Sequence, residues 1–89
     1  MSFYYIYVLH SLKDSQFYTG FTQDLRQRVH EHNAGKNVST KHRRPLELVF
    51  YEAFLSKLDA LKRERYLKTT KGKAVLKNML RNFLKPKSK

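Results

Sequence analysis

The sequence predicts an α+β fold: a small three-stranded antiparallel sheet flanked by helices, in the order β-β-α-β-α-α. Three observations predict it. Aromatic and β-branched runs occur at three places, two of them close together at the start of the chain, as a hairpin followed by a third strand requires. Segments with apolar residues at helical spacing, each opened by a capping residue, follow the second and third runs. The chain has 89 residues, enough for one domain that buries roughly 60–65 % of its unfolded surface. It holds one modest core, and any site must lie on the surface of that core.

The first strand is Phe3-Tyr4-Tyr5-Ile6-Tyr7-Val8-Leu9, aromatic and β-branched as a buried strand should be. Ser11 to Ser15 supplies turn residues, and Gln16 to Phe21 reads as the returning strand. Thr22 or Asp24 can cap a helix running to about Ala34, with Gly35 as its natural stop. Leu25, Val29 and His32 fall at i, i+4 and i+7 and form its inward stripe. A polar, basic loop from Lys36 to Arg44 is closed by Pro45. Leu46 to Phe54 reads as the third strand. Ser56 can cap a second helix over about Lys57 to Lys68, which Thr69 to Gly72 breaks. A third helix is expected from about Lys73 to Leu84, with Val75, Leu76, Met79, Leu80 and Phe83 as its apolar side. Pro86 ends it. Residues 1–84 thus form the domain, and 85–89 a short basic tail carrying Lys85, Lys87 and Lys89. No repeat and no linker interrupts the chain.

Charge is the strongest global signal. Nineteen Lys and Arg stand against seven Asp and Glu, a net of +12. The excess is uneven: +2 up to His42 and +10 from Arg43 onward. Such a balance fits a polyanion partner, nucleic acid above all, with binding that weakens steeply in salt. The plainer alternative is a basic protein that associates with ribosomes or is merely soluble. There is no cysteine, which excludes disulfides, thiolate nucleophiles and Cys-type zinc sites. The apolar start is too short for a signal segment or a membrane span. A cytoplasmic protein with no membrane partner is expected.

A hard divalent cation needs one or two oxygen ligands from the protein, and carboxylates are few. Asp14 sits in a turn. Asp24 and Asp59 lie in first helical turns, where they complement the helix dipole. Glu31 points away from the Leu25 and Val29 stripe, and Glu47 starts the third strand. Glu52 and Glu64 remain. Glu64 falls inside the apolar arc of its helix, near Ala60, Leu61 and Leu67, where a carboxylate is costly unless it is paired or binds a cation. Pairing with Lys68 or Lys57 is the competing explanation. Arg28 and His32, four apart, share one face beside Leu25 and Val29. A guanidinium suits phosphate because its planar fork donates two parallel hydrogen bonds, although most helix-surface charges are only solvated. Tyr7 and Tyr18 lie on neighbouring strands. A register that pairs them puts both hydroxyls on one face, while strand tyrosines ordinarily serve packing.

Together these residues have an order and spacing. Tyr5-Ile6-Tyr7, then Tyr18-Thr19-Gly20, then Arg28 eight residues after the glycine, then His32, then a glutamate in a later helix resembles the GIY-YIG nuclease domain. The resemblance runs from Phe3 to about Lys73. It is strongest to the short stand-alone branch, also at His32-Asn33-Ala34-Gly35, at Arg43-Arg44-Pro45-Leu46-Glu47-Leu48 and at Ala60-Leu61-Lys62-Arg63-Glu64. The domain is also found in the excision-repair incision subunit, homing endonucleases and junction nucleases.

The resemblance implies phosphodiester hydrolysis with one divalent metal, Mg²⁺ or Mn²⁺, and no small-molecule cofactor. Tyr7 matches the tyrosine that is a candidate general base, and Tyr18 the tyrosine that helps position phosphate or water. Arg28 matches the arginine that stabilises charge on the phosphate. His32 matches a supporting polar position, and Glu64 the metal ligand. A tyrosine base needs its pKa near 10 lowered, by a metal or a cationic neighbour. Three departures stand out. Tyr5 replaces the leading glycine of the first motif, a change the stand-alone branch tolerates. Thr19 replaces an aliphatic residue and should lie on the opposite face. Phe17 and Phe21 flank the second motif where some members place a lysine, so weaker base activation is expected. Asn78 and Asn82 are both open as the late asparagine many members carry.

The implied function is a metal-dependent endonuclease acting on DNA, directed by structure more than by sequence, in repair or recombination. Lys41, Arg43, Arg44, Lys68, Lys71 and Lys73 are the expected phosphate contacts, and a protein partner is a further means of supplying specificity. The alternative is a binding module that uses the same basic surface and does not cut. An HNH-type reading of His30-Glu31-His32-Asn33 fails because, in a helix, His30 and His32 point about 200° apart.

Overall fold

The computed structural model describes residues 2–85. Its elements are β1 (Tyr4–Ser11), β2 (Phe17–Thr22), α1 (Leu25–Asn33), a 3₁₀ turn (Lys41–Arg43), β3 (Leu46–Phe54), α2 (Lys57–Leu67), α3 (Thr70–Met79) and α4 (Arg81–Leu84). β1 is the central strand of an antiparallel sheet ordered β2-β1-β3. The α+β class and the β-β-α-β-α-α order are those the sequence predicts, with the expected third helix divided into α3 and α4.

The sheet is covered on both faces. Ile6 and Val8 pack with Ala60 of α2 and with Leu67 and Leu76. Tyr7 and Leu9 point the other way, to Leu46 and to Leu25 and Val29 of α1. Four consecutive residues of β1, Ile6 to Leu9, are therefore buried, as a central strand between two layers must be. Register along β3 shifts after Val8, where Val8 opposes Phe50 but Leu9 opposes Leu48. The extra residue, Val49, is a bulge that bends this edge strand.

Helix ends follow the expected chemistry. The Asp24 carboxylate accepts from the Gln27 amide and Gly35 takes φ +78° just past α1. Ser56 accepts from the Asp59 amide at the start of α2. The third helix differs from its expected bounds. It begins at Thr70, because the Thr69 hydroxyl accepts from the Gly72 amide and caps it. The break after α2 is thus a capping step, with Gly72 inside the first turn of α3. A side chain at Gly72 would overlap the Tyr66 carbonyl oxygen, so the close approach of α3 to the end of α2 depends on its absence. Leu80, at φ −103° and ψ 18°, separates α3 from α4. The expected apolar side is consequently divided: Leu76 is buried, Val75 and Leu80 are half-buried, and Met79 and Phe83 are exposed. Pro86 and the basic tail lie outside the described residues beyond Lys85.

Candidate active site

The β1–β2 register sets the first part of the site. Tyr7 opposes Gly20 and Leu9 opposes Tyr18. The two tyrosines therefore share a face, as expected, but as diagonal neighbours and not as a direct pair, with ring centroids 6.5 Å apart. Thr19 opposes Val8 and lies on the other face, as expected. Gly20 allows the Tyr7 ring to lie across β2, since a Cβ there would overlap the Tyr7 hydroxyl and Cζ. The second motif's glycine thus makes room for the first motif's tyrosine.

α1 brings His32 into this space. His32 Nε2 lies 2.9 Å from the Tyr7 hydroxyl and Nδ1 lies 2.7 Å from Thr40 Oγ1. Tyr7, His32 and Thr40 are all buried, and the Tyr18 ring meets His32 edge-on at 5.1 Å. Two tautomers satisfy this chain. In one, Tyr7 O–H donates to Nε2 and Nδ1–H donates to Thr40. In the other, Thr40 O–H donates to Nδ1 and Nε2–H donates to the Tyr7 oxygen. A relay between them takes up one proton at the Tyr7 hydroxyl and gives up one at the Thr40 hydroxyl.

Burial governs how these groups titrate. It holds His32 below the ordinary imidazole value, and the Arg28 guanidinium pushes the same way against Glu31. His32 is thus neutral at pH 7. Burial also raises the Tyr7 phenol well above its ordinary value. The neighbouring Tyr18, Glu64 and Glu31 add to that rise, and only Arg28 opposes it. Without a metal, one guanidinium does not offset desolvation plus two carboxylates.

Arg28 on α1 and Glu64 on α2 flank the sheet on opposite faces, both near enough for their charges to act on Tyr7. The Arg28 side chain is 40 % exposed, with Nη1 3.5 Å from Glu31 Oε1. It is held loosely enough to turn to an incoming phosphate. The Glu64 side chain is 19 % exposed and pairs with the exposed Lys68 at 2.9 Å. That pairing is the competing explanation raised by the sequence. Glu52 is engaged by Arg63 through two hydrogen bonds of 2.8 and 3.1 Å. No cluster of three or more His, Cys, Asp or Glu side chains occurs among the described residues. A small divalent ion fits such a donor set, because Mg²⁺ keeps several waters and needs only one or two carboxylates plus substrate phosphate. Glu64 is the residue that would hold it. Asn78 and Asn82 are both exposed, and neither is selected as a further ligand.

The match to known proteins is then direct. The model of the GIY-YIG catalytic domain matches residues 3–79. The chain belongs to the GIY-YIG family, a nuclease family. It is 42 % identical over 78 residues to a UPF0213 protein of Staphylococcus haemolyticus, covering 86 % of this chain and 94 % of that protein. It is 46 % identical over 66 residues to the UPF0213 protein YazA of Bacillus subtilis, covering 73 % and 66 %. The solution NMR structure of a UPF0213 protein from Bacillus halodurans superposes with a TM-score of 0.55 at 35 % identity, covering 86 % of this chain and 84 % of that one. These are small stand-alone members of the family.

The basic residues of this GIY-YIG domain divide into two kinds. Arg43 donates to Asp14 at 2.7 Å and to the Phe17 carbonyl at 3.5 Å. It pins the loop to the hairpin turn and holds the Asp14 carboxyl down to about 2. Arg44 is exposed but donates to the Lys41 and Asn33 carbonyls at 2.7 and 3.5 Å. Lys41, Lys71 and Lys73 are exposed, and Lys68 is exposed beside Glu64. Two participants were missed in the sequence. Thr40 carries no periodic signal because it lies in a polar loop. Gly20 was legible as a motif letter, but not as the space that Tyr7 fills. Among the described residues no helix is long and apolar enough to cross a membrane.

Proposed function

We propose that the chain is a metal-dependent endonuclease that hydrolyses phosphodiester bonds in DNA, directed by structure more than by sequence, with Mg²⁺ or Mn²⁺ held by Glu64. The supporting observation is the contact of Tyr7, Tyr18 and His32, remote in sequence, around one hydroxyl, with the charges of Arg28 and Glu64 near enough to act on it. A bound divalent ion would supply charge neutralisation at the phosphate and a more acidic water. The protein's own groups handle the proton. Tyr7 is a neutral phenol, so it accepts a proton from water only as its own proton passes to His32 Nε2. The water oxygen forms its bond to phosphorus as the bond to the leaving oxygen breaks; the leaving oxygen takes a proton from solvent, and His32 then returns its extra proton to solvent through Tyr7. Arg28 turns from Glu31 to the phosphate and offsets the charge that builds there. Tyr18, beside both Tyr7 and His32, orients the attacked group. So small a surface supports backbone and shape recognition, with a repair or recombination partner in the cytoplasm supplying further specificity.

A second reading has one observation behind it. Lys68 occupies the Glu64 carboxylate, as it would in a binding module that never takes a metal. Nicking of supercoiled plasmid at low salt, with and without divalent ion, separates the two. Wild type should nick only with the ion, and Glu64→Gln should lose nicking while keeping its fold and its DNA affinity. Equal cutting by both proteins sinks the Glu64 assignment. DNA binding without cutting by either favours the binding module.

A further inference from the structure

The open edge of β2 carries a pocket that shares only Tyr18 and Lys68, the partner of Glu64, with the hydrolytic site. Its volume is about 360 Å³, at the small end of ligand sites. Its floor is apolar, from Leu67 and Leu76, both 1 % exposed, with Phe17 of β2. Its rim carries three exposed lysines, Lys68, Lys73 and Lys77. Lys73 and Lys77 are four apart on α3 and project to the same side. Among the described residues neither has a carboxylate partner, whereas Lys68 pairs with Glu64. Tyr18 also lines the pocket, and its ring lies 6.5 Å from that of Tyr7. An apolar floor under a rim of unpaired cations, opening beside the reacting groups, is the chemistry of one nucleotide: a base or sugar below, phosphate above.

We propose that this pocket receives a single unpaired nucleotide of the strand being cut, adjacent to the scissile phosphate, with its phosphate on Lys73 and Lys77. The proposal rests on the nuclease reading and names its substrate class, a strand locally free of its complement. A pocket of about 360 Å³ is small for a base pair, which would have to part for one of its nucleotides to enter. Single-strand sites of this kind combine cations that follow the backbone with surfaces for the base.

The test uses the full chain without divalent ion, so that binding is read apart from cutting. A ¹⁵N-labelled sample is titrated with a short oligothymidylate and with a duplex of equal length. The single strand should shift the amides of Phe17 to Thr19 and of Leu76 and Lys77, which carry no expected duplex contact, and the duplex should leave these in place. Lys73→Ala/Lys77→Ala should flatten the dependence of log affinity on log salt for the single strand by about 1.4, two contacts at roughly 0.7 each. Lys57→Ala/Lys62→Ala removes the same charge from outside the pocket and should preserve the pocket shifts. Shifts confined to the loop around Lys41, equal pocket shifts with duplex, or an unaltered salt slope in the α3 variant would each overturn the proposal. Glu64-dependent nicking alongside any of these outcomes leaves the nuclease reading standing. Pocket binding without nicking by any protein overturns the nuclease reading and, with it, the placing of this nucleotide beside a scissile phosphate.

Discussion

Gly20 and Tyr7 are coupled by volume. The ring of Tyr7 occupies the space where a side chain at Gly20 would stand, and its hydroxyl is thereby delivered to His32. Gly20→Ala must displace that ring, and overpacking of this kind costs about 1–3 kcal/mol. At about 4–8 °C per kcal/mol for a domain of this size, the melting temperature should fall by roughly 5 °C or more. Nicking should fall further than stability explains, because the Tyr7 hydroxyl leaves its place. Thermal melts beside plasmid nicking check this. An active, equally stable variant would mean that Tyr7 is not held where the site needs it. Tyr7, Tyr18 and His32, which the fold brings into contact, were legible at this scale through the motif order that resembles the family. Thr40 was not, because its contact with His32 is made by a loop closing, and no periodicity records where a loop closes. The protonation state of Tyr7 was also illegible, since burial and not residue type sets it.

Between elements, Asn33 does the joining. At the last turn of α1 its side chain donates to the Leu46 carbonyl and accepts from the Leu46 amide, both at 2.9 Å. The helix is thereby locked to the first residue of β3, and the loop that carries Thr40 is closed at its base. Ser11 does the same from β1: its hydroxyl donates to the Arg43 carbonyl and accepts from the Lys13 and Asp14 amides. Asn33→Ala leaves a backbone donor and acceptor part-buried without partners, at a cost of about 1–3 kcal/mol. Its urea midpoint should fall with the slope of unfolding unchanged. An unchanged midpoint would show that water replaces the amide without loss. The three strands, α1 and α2 were readable to within a residue or two because capping and turn residues mark them. The start of α3 was misjudged because Thr69-Thr70-Lys71-Gly72 reads as a breaker locally. Only the packing of Gly72 against Tyr66 makes it a helix start.

Across the whole molecule, the charge excess was the plainest sequence signal, yet the sequence did not tell which cations are free. Arg43 meets Asp14 and Lys68 meets Glu64, and the first of these pairs forms only when the loop folds onto the hairpin. Of the six expected phosphate contacts, Lys41, Arg44, Lys68, Lys71 and Lys73 are exposed and Arg43 is half-buried. Each duplex contact contributes about 0.9 to the slope of log affinity against log salt, so these five set an expected slope of about −4 to −5. Between 50 and 200 mM salt the affinity should then fall by roughly 10²–10³-fold. Fluorescence anisotropy on a DNA duplex with the Glu64→Gln protein, without divalent ion, measures it directly. Two substitutions divide the cations by role. Lys71→Gln should flatten the slope by about 0.9 and leave stability unchanged. Arg43→Gln should do the reverse, because its guanidinium is taken up by Asp14 and the Phe17 carbonyl. A slope near zero would remove the electrostatic basis for nucleic-acid binding altogether, since counterion release is the one effect that every phosphate contact must produce.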